Sequence, residues 1–586
     1  WSSDVCSSDL FYSCSKLSKL KVTNFDTSKV TDMSNSFRSL LKLTTLNISH
    51  FNTSSVINME YMFRYGLKLE SLDLSNFDTS KVNNTRYMFS YCSKLNSINL
   101  SNFNISSLVM MNHMFANCTN LTNLILHSCT QNGKAKIKNM QYLFLSCYKL
   151  STIDLSCLDL SSVETIQNIF VNCYALTSIS LNLDATKVVN MVGLFKNCRS
   201  LEKIDLSFSN TYNIKNISSL FENCTNLTSI NLSNIDFSNV EDMSCVFSSC
   251  KKLTYIDLSN LKISSVTNIS HLFQNCENLI SINLNNFDTS NVLDMSYLFS
   301  SCTKLNSVDI NHFNTSLVKN MSHMFYKCQN LESLSLSNMD TKNVIDMSYM
   351  FSNCNKLNSI NLLNFDTSLV MNMSGLFEND IFEYLDLSNF KTFNVINMGY
   401  IFSGCINLQF LNISNFNTSE VEDMQYMFYN CKNLQSVEIS NFDTKQVRNM
   451  NSMFSECEKL TSLNLSNFET SNCLIMENMF NNCKNLEKLN LSNFITTKTV
   501  NMKNMFLGCE KLLLLDLKNF NTSYATNLEG MFQNCFSLIY LNLINFDINN
   551  QINMNNILFN HSVITKFCIN EKSLNYFSEN SNIILN

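Results

Sequence analysis

The chain has 586 residues, of which 45% are hydrophobic and 15% charged, and its formal net charge is −6. This weak acidity argues against a nucleic-acid-binding protein, which needs a clustered basic face. No apolar run reaches the roughly 18–20 residues of a membrane-spanning helix, so we expect no transmembrane span in this chain. The apolar fraction is large enough for an extensive core.

The first ten residues, WSSDVCSSDL, lack the pattern that the rest of the chain follows. The chain begins with Trp1 instead of Met, and residues 1–10 contain its one tryptophan. We interpret 1–10 as a non-native remnant and exclude it from the fold prediction. The true N-terminus is then expected to lie upstream.

From residue 11 the chain repeats one unit, as in NFDTSNVLDMSYLFSSCTKLNSVDIN at 286–311. Each copy is anchored on one aromatic residue, and the anchors run from Phe11 to Phe532, nearly all 26 residues apart, with a degenerate copy at Leu558. A single copy cannot enclose its own apolar side, whereas stacked copies bury it. We therefore predict one solenoid of about 22 rungs over 11–560. Residues 561–586 depart from the pattern and are predicted to be a C-terminal cap or the start of a truncated segment.

Two periodicities alternate within a copy. Apolar residues first recur at the three- and four-residue spacing of a buried helical face, at Val292, Met295, Leu298, Phe299, Cys302 and Leu305. The preceding Asp-Thr-Ser supplies candidate helix N-caps. Apolar and polar residues then alternate, as in a half-buried strand, at Leu305, Val308 and Ile310. The predicted fold is an α/β repeat solenoid with one short strand and one short helix per rung and a parallel sheet on one face.

The full repeat, LxxLxLSNFDTSxVxxMSxMFxxCxxL, resembles the BspA-like class of leucine-rich repeat proteins, in the variant common among mycoplasma-type surface lipoproteins. It departs from leucine-rich repeats at the usual Asn, where Phe287 and Phe313 stand, and the Pro that often follows the strand is Ser or Asn. The resemblance implies a cell-surface or extracellular protein that binds a protein or glycan ligand on another cell or matrix. It implies no reaction.

Cysteine forms a column three residues after the anchor, occupied by 18 of the 24 cysteines, while Leu40, Gly66 and Asp380 take that position elsewhere. We favour small buried thiols over disulfides between neighbouring rungs or a metal site. Zinc fits poorly, because there are no CxxC pairs and few histidines, and no cofactor is expected. The predicted repeat core includes Phe273, Cys276, Phe299, Cys302, Phe325, Cys328, Phe351 and Cys354.

One strand position, between the last two apolar residues of the strand, is aspartate in some rungs and asparagine in others. Its side chain points away from the core. The candidate ligand-binding residues in this column are Asp205, Asn231, Asp257, Asn283, Asp309, Asn361, Asp386 and Asn412. Two interpretations stay open. The column is either a hydrogen-bonded, solvated row that keeps the sheet in register, or a polar strip for a repetitive ligand. Calcium between the carboxylates is the weaker form of the second, because no EF-hand-type loop is present.

A further column, five residues after the anchor, alternates lysine with asparagine over Lys252, Asn278, Lys304, Asn330 and Lys356, which indicates a solvated rim. An enzyme needs a convergent, non-repeated cluster of reactive groups. Here nearly every polar residue recurs at the equivalent position of the neighbouring repeats, so we predict no enzymatic activity. The favoured function is a cell-surface or secreted interaction scaffold or adhesin that uses many equivalent contacts. A structural surface coat or spacer, or an intracellular protein-binding scaffold, remains the alternative.

Overall fold

The computed structural model describes residues 9–125, 137–156, 158, 160–181, 183–206, 208–232, 235–548, 551–560 and 564–574. The chain divides into two compact units, Trp1–Val292 and Leu293–Asn586. Within its described residues, each unit is a parallel β-solenoid in which most repeats contribute one short strand. Residues 1–8 of the predicted remnant lie outside the described part of the chain.

The strands are two to four residues long and pair in parallel with the strand of a neighbouring rung. In the first unit they are β1 (Thr45–Leu46), β2 (Ser71–Leu72), β3 (Ser97–Asn99), β4 (Asn123–Ile125), β5 (Thr152–Asp154), β6 (Ser178–Ser180), β7 (Leu183–Asp184), β8 (Lys203–Asp205), β9 (Phe208–Ser209), β10 (Ser229–Asn231), β11 (Tyr255–Asp257) and β12 (Ser281–Asn283). In the second unit they are β13 (Ser307–Val308), β14 (Ser333–Leu334), β15 (Tyr384–Asp386), β16 (Phe410–Asn412), β17 (Ser462–Leu463), β18 (Lys488–Leu489), β19 (Leu514–Asp516), β20 (Tyr540–Leu543) and β21 (Lys566–Ile569). The predicted parallel sheet is thus confirmed.

The register follows the repeat, so that equivalent residues of neighbouring rungs lie opposite each other. On β11 and β12, Tyr255 pairs with Ser281 and Asp257 with Asn283. A second parallel ladder of single bridges runs through the residue five positions before each anchor, from Asp32 to Asn268 in the first unit and, in the second, from Asp294 onwards. Neighbouring rungs are therefore tied at two separate places.

The short helix predicted for each rung is wrong. The helical residues described are a 3-10 helix, Thr211–Asn213, and one turn at 571–574. Two residues of each typical rung have left-handed backbone angles, for example Tyr297 (φ 56°) and Ser301 (φ 60°). An α-helix of L-residues does not include such conformations in its interior, so the segment forms a series of tight turns.

The backbone hydrogen bonds of this turn segment run in two directions. The N–H of Tyr297 donates to the carbonyl of Ser322 in the next rung (2.9 Å), and Phe299 donates in the same way to Met324 (2.9 Å). Between them, Ser300 donates back to Tyr297 within its own rung (3.1 Å). Alternate amides therefore link rungs, and the others close turns, which satisfies the backbone without a helix.

The corner that precedes the turns does not supply helix N-caps. Thr470 is fully buried there, and its hydroxyl donates to the carbonyl of Ile495 in the next rung (3.0 Å). The same hydroxyl accepts the N–H of Ile495 (2.9 Å). The residue before the threonine closes the corner instead, as where Asn314 Oδ1 accepts the N–H of Ser316 (3.1 Å). This threonine is therefore a buried bridge between rungs.

Removing one bridge should destabilise the second unit. We expect Thr470→Val to lower the free energy of unfolding by about 1–3 kcal/mol, because it leaves the buried N–H and C=O of Ile495 without their partner. Thr470→Ser keeps the hydroxyl and loses a methyl group, which should cost about 1 kcal/mol. Denaturant unfolding of both variants measures the difference. A larger loss for serine than for valine would contradict the bridging role.

The core includes the anchor and cysteine columns, together with apolar residues of the turns, corners and strands such as Met295, Leu298 and Leu305. The predicted core residues are all fully buried: Phe273, Cys276, Phe299, Cys302, Phe325, Cys328, Phe351 and Cys354. Anchor rings of neighbouring rungs stack with nearly parallel planes, as between Phe428 and Phe454, whose centroids are 5.3 Å apart. Within each unit, the apolar side chains of one rung thus pack against the equivalent side chains of the neighbouring rungs.

The chain adds one more strand after the last anchored copy. β21 pairs with β20, placing Phe567 opposite Leu541. Ser573 then donates its hydroxyl hydrogen to the carbonyl of Phe546 (2.8 Å). Residues 566–574 therefore cover the last complete rung, and a capping role for 561–586 stays a prediction.

Candidate recognition face

The exposed surface of the sheet, which we call the strand face, is formed by the residues eight and ten positions after each anchor, or seven and nine positions after Phe377, whose repeat is one residue shorter. β11 shows the alternation: Tyr255 and Asp257 are exposed, while Ile256 between them is buried. Because strand side chains alternate between faces, repetition aligns these two positions into two columns.

The predicted polar column lies on this face. Asn231, Asp257, Asp309 and Asn361 are exposed, and Asn283, Asp386 and Asn412 are half-buried. The strand that ends at Asp205 pairs with the strand that ends at Asn231, while the side chain of Asp205 lies outside the described part of the chain.

Most of these side chains form a hydrogen bond inside their own rung. Asp257 Oδ1 accepts the N–H of Ser259 (2.9 Å), and Asp386 Oδ1 accepts that of Ser388 (3.0 Å). Hydrogen bonds from the serine two residues on hold the pKa of both carboxyl groups below the usual range. The column therefore closes the corner after each strand, which supports its structural interpretation.

The neighbouring column carries a feature that the sequence analysis missed. Its residue is most often serine, but large apolar residues occupy it at Tyr255, Leu514 and Tyr540, and the most exposed of them are Tyr384 (62% exposed) and Phe410 (65% exposed) on two successive strands. The two residues lie opposite each other in the β15–β16 register, so their side chains are neighbours on one face. Replacement of serine by an aromatic residue at a fixed repeat position is the sequence signal that could have revealed this pair.

A shallow open groove of about 1070 Å³ follows the Ser-Asn-Phe corners of the second unit. Its lining includes Asn441, Asn467, Asn493 and Asn519. The amides of Asn467, Asn493 and Asn519 donate to the serine carbonyl of the preceding corner. These amides are thus engaged in holding neighbouring corners together.

The cysteine column faces the interior. The Sγ–H of Cys328 donates to the carbonyl of Phe299, the anchor of the preceding rung (3.1 Å), and Cys431 does the same to Phe402 (3.1 Å). The described cysteines are free, and all members of this column but Cys14 are buried. Burial raises the pKa of Cys328 to about 12, so its thiol is not a nucleophile near neutral pH.

One member of this column is an acid. Asp380 is fully buried, and its Oδ1 accepts the N–H of Cys354 (2.9 Å). Its Oδ2 has no hydrogen-bond partner among the described residues. Burial, and secondly the nearby charge of Glu378, raise the pKa of Asp380 well above the usual range. Burial therefore favours the neutral form of this carboxyl group, against the opposing effect of the hydrogen bond from Cys354.

The histidines of the turn columns stack on tyrosines. His323 lies between Tyr297 and Tyr349, with ring centroids 4.3 and 4.9 Å away. Within the described residues, no group of three or more His, Cys, Asp or Glu is placed to hold a metal ion. The same part of the chain contains no helix of the length and apolarity needed to cross a bilayer.

Comparison with known proteins gives one family. Its profile, described as "Mycoplasma protein of unknown function, DUF285", matches residues 6–128, 138–256, 246–362, 356–468 and 456–570. Among solved structures, the chain is similar to a leucine-rich repeat protein from Bacteroides ovatus ATCC 8483, with 19% identity over 76% of this chain and 85% of the other and a TM-score of 0.34. It is also similar to a leucine rich cell surface protein from Faecalibacterium prausnitzii A2-165, with 15% identity over 68% and 84% and a TM-score of 0.26. No curated protein matches.

Proposed function

The chain belongs to the family described as Mycoplasma protein of unknown function, DUF285, and we propose that it is a non-enzymatic recognition scaffold at the cell surface or outside the cell. Its strand face binds a protein on another cell or in the matrix. The solenoid supplies a rigid, repeated surface, and few exposed side chains on that surface carry most of the binding energy.

The observation that carries this proposal is the aromatic pair Tyr384 and Phe410. Large aromatic side chains are enriched in the central, energetically dominant part of protein interfaces. Here two of them, each more than 60% exposed, interrupt a column that is otherwise mostly serine. Asp386 and Asn412 follow them on the same strands and supply polar groups beside the rings.

Removing the pair should abolish recognition without affecting the fold. Fluorescent beads coated with the chain are applied to cultured animal epithelial cells. We expect beads with Tyr384→Ser/Phe410→Ser to bind at least about tenfold less, because aromatic anchors of this kind each contribute about 1–4 kcal/mol. Serine is the most frequent residue of this column, so the denaturation midpoint should stay that of the wild type.

The matched control is Leu369→Ser/Met371→Ser, which removes two exposed apolar side chains (47% and 44%) away from the strand face. It should bind like the wild type. Trypsin treatment of the cells should abolish wild-type binding, because the partner is a protein. Equal binding by the two double variants would contradict the role of the strand face, and trypsin-resistant binding would contradict a protein partner. Absence of binding by the folded wild type would favour a coat or spacer.

A further inference from the structure

The lysine column is uninterrupted at its beginning. In the first four rungs, the residue five positions after the anchor is Lys16, Lys42, Lys68 and Lys94, and all four are exposed. Beyond them the column mixes lysine with asparagine, alanine, serine or phenylalanine. The anchor rings of neighbouring rungs stack 5.5–5.7 Å apart here. The lysine row therefore adds one positive charge with each rung.

These lysines lack the acidic partner that some other lysines have. Lys196, for example, pairs with Glu222 on the neighbouring rung (2.7 Å), and Lys251 pairs with Glu277 (2.6 Å). In the described residues, none of the four lysines of the first rungs forms an ion pair within 4.0 Å. Like charges at equivalent positions of adjacent rungs repel each other. An anionic ligand along the row would remove this repulsion.

Two arginines add fixed positive charge to the same rungs. The guanidinium of Arg64 lies over the rings of Tyr65 (4.7 Å) and Tyr87 (4.6 Å), and that of Arg38 lies over Tyr61 (4.7 Å). Such cation–π contacts hold the guanidinium groups in place. Residues 9–96 contain eleven Lys and Arg against seven Asp and Glu, a net charge of +4 in a chain whose net charge is −6.

We propose that the row of Lys16, Lys42, Lys68 and Lys94, which we call the basic face, binds a linear polyanionic polysaccharide that carries sulfate or carboxylate groups. The charges follow one line from rung to rung, which fits a flexible anionic chain better than a flat membrane surface. Clustered charge of one sign also raises the local concentration of an oppositely charged ligand.

The aromatic residues of these rungs argue against single-stranded nucleic acid. Binding of unpaired bases uses aromatic rings with free faces. Here Tyr61 stacks on Tyr87 (5.0 Å), which stacks on His113 (4.3 Å), which stacks on Tyr142 (4.6 Å). Neighbouring rings therefore cover each other.

The function inferred here uses a surface of the first unit and is independent of the aromatic pair proposed above, so either proposal can fail alone.

Titration of the full chain with heparin, a sulfated polysaccharide, tests the inference. We expect Lys42→Gln/Lys68→Gln/Lys94→Gln to raise the heparin Kd at least about tenfold, and added salt to weaken wild-type binding. The matched control, Lys252→Gln/Lys304→Gln/Lys356→Gln, changes three lysines of the same column that alternate with asparagine. It should stay within about twofold of the wild type.

Equal losses in the two triple variants would overturn the proposal, because binding would then depend on total charge alone. Heparin binding no tighter than that of neutral dextran would overturn it as well. Tighter binding of a single-stranded oligothymidylate, or of phosphatidylserine vesicles, would show that the basic face serves a nucleic acid or a membrane instead.

Discussion

Replacing Asp380 by cysteine should raise the free energy of unfolding at pH 7 by about 1–3 kcal/mol, the range for a buried polar group with an unmade hydrogen bond. The carboxyl group is fully buried, and its Oδ2 has no partner among the described residues. Cysteine is the residue that this column uses in most rungs, including Cys354 and Cys405 on either side. The variant thus removes an ionisable group and restores the repeat. Denaturant unfolding measures the gain.

The gain should depend on pH in a defined direction. Because burial raises the pKa of Asp380 in the folded chain, folding takes up a proton between the unfolded pKa, about 3.9, and the higher folded value. The contribution of Asp380 to stability is therefore largest below about pH 4 and is lost as the pH rises towards the folded pKa. The advantage of Asp380→Cys should be smallest in acid and grow towards neutral pH.

Asp309→Asn is the matched control, since it neutralises an exposed carboxylate of the strand face. Asparagine is a common residue in that column, and its amide oxygen can also accept the N–H of Asn311. We expect a change within about 0.5 kcal/mol. An Asp380→Cys variant that is no more stable than the wild type at pH 7, or whose advantage grows in acid, would show that the carboxyl group is satisfied and ionised in place.

Truncating one anchor ring should have the largest destabilising effect. Phe454 is fully buried and stacks between Phe428 (5.3 Å) and Phe480 (5.8 Å). Phe454→Ala should lower the free energy of unfolding by about 3–5 kcal/mol, because the cavity cannot close when both neighbouring rings are fixed by their own rungs. The denaturant midpoint of the purified variant measures this loss.

The matched control is Phe410→Ala, which removes a phenyl ring from the strand face, where the side chain is 65% exposed. It should change the free energy of unfolding by no more than about 0.5 kcal/mol. Comparable losses at the two sites would mean that the anchor column does not provide the core. A small loss at Phe454 alone would mean that the stack repacks around the missing ring.

Much of the rung could be predicted from the sequence. The period, the parallel strand and the mycoplasma-type repeat are confirmed by the register of the strands and by the family match. Each depends on a pattern that twenty or so copies repeat, so that chance substitutions in single copies do not obscure it. The polar column also lies where strand alternation predicts, although its main contacts close corners.

The helix could not be predicted correctly from apolar spacing alone. Residues such as Met295, Leu298 and Phe299 are buried as expected. However, a run of turns buries apolar residues at the same three- and four-residue spacing as a helix does. The signal that distinguishes the two is glycine. Five of the eight glycines lie at the left-handed positions: Gly193, Gly375, Gly404, Gly508 and Gly530. Glycine is disfavoured inside helices and tolerated at positive φ.

The two surfaces proposed for recognition were missed for the opposite reason. Tyr384, Phe410 and the four consecutive lysines are departures from the repeat, whereas the consensus shows what all rungs share. Shared residues build the solenoid, because stacking makes the same demand of every rung. Residues that differ between rungs are free of that demand, and they are where recognition can be specific.

The far-UV circular dichroism spectrum of the purified chain tests this description of the rung most directly. The structure predicts a spectrum of strand and turn with almost no helical contribution. A spectrum with the helical content of one short helix per repeat would contradict the left-handed positions and the amides that link rungs. Such a spectrum would also contradict the placement of the buried columns and of the strand face.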